Sequence, residues 1–358
     1  MSGQGKWMSW RAVEYVTVAF EVLGSIALGL VVAAGMLAGL GYDPIRGISL
    51  LLTGGLRNPD YLLSRATFIM MTGLAFAIPM LAGFFNIGGE GQMYLGGLMA
   101  LLTAVYLRNG LLAILVGGLA GALLGLIISA LRIYRGVNEV VTAIMLNLVL
   151  YYLIVYLITV ELYDPVAPHE SIKVPAEARL GVIYLAGNRL HLIFFVALAL
   201  VILAYFLLYY TKLGYEIRVS GLSPRSARYA GIDLNRVAMT SMFIGGFFAG
   251  VGGALNVVGF MYYIDSLLTC MHGMGFTGIG VALMGRNNPV GVILASIFFS
   301  MLILGGSRMQ MLMRVPKEVA DALSGVIIIA LSLPYAYRIL MSYIRTRRLM
   351  KVGAGQPG

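Results

Sequence analysis

The stretch GFFNIGGEGQMY (Gly83–Tyr94) sets one carboxylate, Glu90, and two carboxamides, Asn86 and Gln92, among Gly88, Gly89 and Gly91, between two long apolar runs. A carboxylate flanked by amides has two kinds of chemistry open to it. It can hydrogen-bond a polar solute, or it can hold a proton or cation. So much glycine lets the backbone leave a helical path, which is tolerated at membrane depth only where protein buries it or where it lines a cavity. The bland alternative is that Glu90 pairs with a basic residue or with backbone amides and simply locks a hairpin. A second glycine-rich break, CMHGMGFTGIGVALMGRNNPVG (Cys270–Gly291), contains Phe276, whose ring offers a face to a planar ligand. Asn147 in NEVVTAIMLNLVLYY and Asn256 in GGALNVVGFMYY are amides inside apolar runs, and each must find a partner in another helix or in a ligand. Asn86, Glu90, Gln92, Asn147, Asn256 and Phe276 are therefore the candidates for a substrate pathway.

Enzymatic chemistry finds no footing. The chain has no phosphate-binding G-x-x-x-x-G-K-[ST] loop, since Gly5-Lys6 is followed by Trp7, and neither H-E-x-x-H nor a nucleophile elbow occurs. The single Cys270 excludes an intrachain disulfide framework, and His169 and His191 lack metal-ligand spacing. No catalytic residue and no metal site are expected, and no cofactor bound by this chain. Energy for uphill movement must come from an ion gradient or from another subunit. A gradient-driven carrier would draw on the deeper ionisable residues Glu90, Glu139, Asp265, His272 and Asp321.

The elements that must position these groups follow from composition. Of 358 residues 60% are hydrophobic and 11% charged, against roughly 25% charged in a soluble domain. Spans of about 20 residues predict an all-α, polytopic membrane protein with ten transmembrane helices near about 17–40, 62–84, 89–107, 111–131, 139–160, 190–211, 237–260, 265–284, 289–306 and 319–337. No stretch is left for a second fold, so residues 1–358 read as a single integral membrane domain, with helices over about 17–337 and a basic tail at 338–358. The apolar run after Lys6 and Arg11 is too long for a signal peptide and reads as a retained first helix, with Trp7 and Trp10 at headgroup level.

Arg132, Arg135, Lys212, Arg218, Arg225, Arg228, Arg236, Arg286 and the tail fall on the side of the termini, which places both termini in the cytoplasm. The net charge of +10 is then mostly topology; the tail RTRRLMK anchors on membrane lipid, and no soluble basic face exists for nucleic acid. Glu161–His191 falls outside as a partly ordered loop, either a docking surface or a plain connector. Glycine breaks at corresponding places in spans two to five and seven to ten suggest a repeat. Because the two sets start in opposite directions, that repeat is inverted.

Within this greasy chain GLSPRSARYAGIDL (Gly221–Leu234) is short, basic and helix-shaped. Ser223 suits an N-cap, Pro224 the first helical position and Gly231 a left-handed stop, which predicts a doubly capped helix of about two turns on the cytoplasmic side. Small-xxx-small spacings such as Gly117, Gly121 and Gly125, or Gly246 and Gly250, predict close helix packing.

FFNIGGEGQMYLGGLMA, GVNEVVTAIMLNLV, GLSPRSARYAGIDLNRV and GFTGIGVALMGRNNPVGVILASIFFSML resemble, in order and spacing, the permease subunits of prokaryotic ABC importers of the branched-chain amino acid, ribose and nucleoside superfamily. The likeness runs from about residue 20 to 337 and is greatest to the branch that takes up guanosine and other nucleosides. It implies a coupling helix formed by Ser223, Pro224, Arg225, Ser226, Ala227, Arg228, Tyr229, Ala230 and Gly231, docked on an ATP-binding subunit with two nucleotide sites. It further implies a second, related permease, an extracytoplasmic binding lipoprotein, alternating access in the prokaryotic cell membrane, and ATP and Mg used only by the partner ATPase. A permease for a sugar such as ribose, or for branched-chain amino acids, is the alternative within this class; an ion-coupled secondary transporter is the alternative outside it.

Overall fold

The computed structural model describes residues 24–25, 27–185, 188–269 and 271–330. Trp7, Trp10, Cys270 and the basic tail lie outside the described residues. The chain divides into two compact units, one of Met1–Gly54 with Leu302–Gly358 and one of Gly55–Met301.

The first unit holds α1 (Ala27–Gly39) and α2 (Pro44–Thr53), the last turns of α12 (Pro289–Met313), and α13 over residues 317–330. Asp43 starts α2 by accepting from the backbone N–H of Ile45 at 3.0 Å and of Arg46 at 3.2 Å, with Pro44 at the first helical position. Small residues bring the helices together: a Cβ on Gly29 would come within 3.0 Å of Ile327 Cα, and one on Gly54 within 2.9 Å of Gly305 Cα.

The second unit carries the remaining elements. α3 (Pro59–Leu81), α4 (Gly89–Leu107), α5 (Gly110–Arg135) and α6 (Glu139–Val160) follow one another through short turns. Two antiparallel hairpins come next, β1 (Tyr163–Asp164) with β2 (Ala167–Ser171) and β3 (Val182–Leu185) with β4 (Asn188–His191). Then come α7 (Ile193–Tyr210), α8 (Lys212–Leu222), α9 (Pro224–Tyr229), α10 (Leu234–Asn256), α11 (Met274–Met284) and the start of α12. The hairpin region is not a loose connector. Ser171, Val174 and Leu180 donate backbone bonds to Ile264, Tyr262 and Val258 at 2.8–2.9 Å, which ties it to the chain after α10.

Asparagine and aspartate caps set the helix starts: Asn58, Asn109, Asn138 and Asp233 each accept from the first turn of the helix that follows. α3 and α10 form the centre, with 83% and 78% of their apolar windows buried, whereas α6 and α7, at 33% and 28%, show an apolar outer face. α5 lies along α10 on a seam of glycines: a Cβ on Gly121 would reach 2.8 Å from Gly250 Cα, and one on Gly250 would reach 3.1 Å from Gly121 Cα. The small-residue spacings thus do the packing that their pattern predicts.

Among the described residues six helices are long and apolar enough to cross a membrane: α3, α5, α6, α7, α10 and α12, with α10 counted through Met261. Several boundaries move from expectation. The span expected at about 265–284 is helical only from Met274, because Gly273 at φ 76° is left-handed and a turn held by Asp265 on Thr269 precedes it. α12 runs seven residues beyond the expected 306, to Met313. α2 and α8 were not anticipated. The first is too short to register as a span, and the second hides in a charged stretch, KLGYEIRVSGL.

Candidate functional site

α3 ends at Leu81, and the seven residues that follow turn back along it before α4 begins at Gly89. Asn86 Nδ2 donates to the carbonyl of Ala75 at 2.9 Å, six residues before the end of α3, or roughly 9 Å along its axis. On the other side Gly88 faces Ile128, seven residues before the end of α5. The start of α4 therefore lies about two turns inside the ends of both neighbours. Irregular backbone at that depth is tolerated where it lines a cavity or where protein meets its polar groups, and here protein meets them.

Asn86 and Gln92 meet them with a reciprocal amide pair, Nδ2 to Oε1 and Nε2 to Oδ1, both at 3.1 Å, while Asn86 Oδ1 also accepts from the N–H of Gly88 at 3.1 Å. Asn147, from α6, accepts from Gly91 N–H at 2.8 Å and donates to the carbonyl of Ile87 at 3.1 Å. Leu124, Ile128, Ala143, Leu150 and Met242 enclose this turn together with Phe84 and Ile87.

Glu90 stands in the first turn of α4 and is buried, with 4% exposure. Its Oε1 accepts from the hydroxyl of Tyr94 at 2.5 Å and from the N–H of Gly273 at 3.0 Å, and His272 Nδ1 lies 3.6 Å away. Oε2 is buried with no hydrogen-bond partner among the described residues. Gly273 is the N-cap of α11, so the N-terminal ends of two helices converge on one carboxylate, an electrostatically favourable arrangement. The approach is close because Gly275 lies against the Glu90 backbone, where a Cβ would come to 2.5 Å from Glu90 N, and Thr72 of α3 donates to the carbonyl of Met274 at 2.9 Å.

The structure thus gathers Asn86, Glu90, Gln92 and Asn147 at one turn. Asn256 is buried at the end of α10 with its Nδ2 unpartnered among the described residues, outside that network. Phe276 follows Gly275 on α11 with its side chain 54% exposed. Sequence reading missed Tyr94 and Tyr151 and gave His272 no place in the site. Tyr94 is four residues from Glu90 and so shares its helix face, a signal that was present. Tyr94 OH lies 3.1 Å from His272 Nδ1, and the Tyr151 ring sits 6.1 Å from that of Tyr94 and 5.7 Å from that of His272.

The capped helix is α9. Ser223 Oγ accepts from Ser226 N–H at 3.4 Å, Pro224 opens the helix, and Ala230 and Gly231 close it with bonds to Ser226 and Arg228 at 3.0 Å, Gly231 having φ 78°. At six residues it is shorter than the two turns expected. Ala227 is fully buried, whereas Tyr229 is 94% exposed. α8, just before it, lies with Gly221 against the end of α3, where a Cβ would be 2.9 Å from Leu81 C and 3.2 Å from Gly83 N. The α8–α9 segment therefore abuts the very turn that leads to Glu90.

The family described as the branched-chain amino acid transport system permease component matches residues 58–332. The chain belongs to this family. As a permease component it is the non-catalytic, multi-pass membrane subunit of an ABC importer. The permease is 32% identical over 335 residues to the guanosine ABC transporter permease protein NupP of Bacillus subtilis, covering 90% of this chain and 95% of that one. It is 28% identical to the nucleoside permease NupB of Lactococcus lactis, over 88% and 91% of the two chains. A glucose ABC transporter permease of Haloferax volcanii is 31% identical, over 90% and 88%. No solved structure matches the permease.

Proposed function

We propose that this permease carries nucleosides of the guanosine type across the membrane by alternating access, driven by a separate ATP-binding subunit. The observation that carries the reading is the end-to-end likeness to a guanosine permease. A sugar is the second reading, favoured by the nearly equal identity to a glucose permease. The family excludes a carrier that works alone on an ion gradient.

Ten spans are obtained when α2, α8 and α9 are set aside as non-crossing, leaving α1, α3–α7 and α10–α13. The inverted repeat then pairs α3–α6 with α10–α13. Its support is that the second helix of each set, α4 and α11, begins abruptly after non-helical, glycine-bearing chain. Both termini lie in the cytoplasm by the distribution of basic residues. α9 is the coupling helix: it is capped and therefore stiff, anchored by Ala227, and it presents Arg225, Arg228 and Tyr229 to the ATPase. Its motion reaches the Glu90 turn through Gly221 on Leu81 and Gly83.

A second permease completes the pathway; the chain is similar to two guanosine permease proteins of Bacillus subtilis, at 32% and 26% identity. An extracytoplasmic binding lipoprotein delivers substrate, and ATP and Mg stay with the partner ATPase. The permease itself need supply only different substrate affinities in its outward and inward states.

The test is uptake of radiolabelled guanosine into proteoliposomes holding the permease with its companion permease, ATPase and binding protein, with ribose, glucose and leucine as competitors. Uptake that requires ATP and is blocked only by nucleosides is the expected result. Competition by a sugar or by leucine removes the nucleoside reading, and uptake that ignores ATP removes the coupling.

A further inference from the structure

The hydrogen-bond bookkeeping around Glu90 settles which nitrogen of His272 faces Tyr94 as a donor. The Tyr94 hydroxyl has a single hydrogen, and it goes to Glu90 Oε1 at 2.5 Å, an oxygen that also receives the Gly273 N–H. The Tyr94 oxygen, 3.1 Å from His272 Nδ1, must then accept from that nitrogen. Nδ1 of His272 carries a hydrogen as a result, and whenever the ring is neutral Nε2 is its acceptor. Glu90 and Tyr94 are buried, but the His272 side chain is 66% exposed, so the relay runs outward from a buried carboxylate to an accessible imidazole. Beside it lies the ring of Tyr151. The Tyr151 ring is 5.7 Å from the imidazole, and Tyr152, which is exposed, meets Tyr151 edge-on at 5.3 Å.

We infer that His272 Nε2, the acceptor of the neutral ring because Nδ1 donates to Tyr94, reads an N–H donor on the edge of the transported base while Tyr151 flanks the base plane. This rests on the nucleoside reading given above and adds the specificity-determining residue to it. The chemical class is a purine nucleoside with a base N–H, such as inosine, which carries one at N1. Purine riboside, which lacks the 6-oxo group and with it the N1–H, leaves the acceptor unpaired. A site built to receive a hydrogen bond discriminates against the analogue that lacks the donor. Tyr94 acts through His272 and is a positioning residue, as is Glu90 in this role.

The experiment measures ATP-driven uptake of inosine and of purine riboside by the full complex, each at concentrations that saturate the binding protein, in wild type and in His272→Phe. Comparing variant with wild type for each nucleoside cancels the preference of the binding protein. The phenylalanine keeps a ring beside Tyr151 and removes the acceptor. Inosine uptake is expected to fall about three- to tenfold, the worth of one hydrogen bond, with purine riboside unchanged, and His272→Gln, whose amide oxygen accepts, is expected to recover part of the loss. Equal losses for both nucleosides, or no loss for inosine, overturn the inference. If His272→Phe does not assemble with its partners, Tyr94→Phe carries the same test, since it removes the oxygen that fixes the tautomer; an unchanged inosine-to-purine riboside ratio then overturns it. A wild-type complex that moves neither nucleoside refutes the nucleoside reading itself, which is a different result.

Discussion

Asn86, Gln92 and Asn147 hydrogen-bond one another or the backbone of a single turn, and in doing so they fix where Glu90 stands. Asn147 meets two buried backbone groups, the Gly91 N–H and the Ile87 carbonyl. Asn147→Leu leaves both unpaired, at about 1–3 kcal/mol for each, so the purified variant should unfold at a clearly lower temperature than wild type, as followed by the thermal unfolding of detergent-solubilised protein. An unchanged midpoint contradicts this role. That these amides need partners was legible in the sequence, since an amide in an apolar span cannot stay unpaired. Which partners they take was not, because Asn147 and Gly91 are 56 residues apart and pairing across such a distance is set by the packing of α4 on α6. Tyr94 was overlooked for a simpler reason: an aromatic in an apolar run reads as packing until its hydroxyl is seen to have a partner.

At the scale of elements, the glycine-rich breaks were legible because glycine among amides and a carboxylate disagrees with a continuous span. The place where helix resumes was legible for α4, whose bounds of 89–107 are those expected. It was not legible for α11, since a stretch of mixed apolar residues conceals the left-handed Gly273 that forces the restart. α9 announced itself through Ser223, Pro224 and Gly231, and only its length was overstated. α9 offers a direct test of coupling. Arg225 and Arg228 are on this helix and make no salt bridge within the described chain. Arg225→Glu combined with Arg228→Glu is expected to leave the permease folded but to abolish stimulation of ATP hydrolysis by loaded binding protein, because two charge reversals oppose docking on any surface complementary to a basic helix. Unchanged co-purification with the ATPase together with unchanged stimulation counts against α9 as the coupling helix.

For the whole molecule, composition alone established a polytopic membrane protein, and four ordered motifs established the importer superfamily to which residues 58–332 belong. Permeases named for guanosine and for glucose are almost equally similar to this chain, so overall similarity does not fix the substrate. The central claim is that the buried carboxylate where α4 and α11 begin lies on the transport path and is moved from α8 and α9. The most direct measurement is ATP-dependent guanosine uptake by Glu90→Ala in proteoliposomes, alongside recovery of the intact complex. The account predicts uptake reduced about tenfold or more with assembly preserved, as expected for an ionisable group placed inside a membrane for function. Full uptake by a well-assembled Glu90→Ala complex contradicts it.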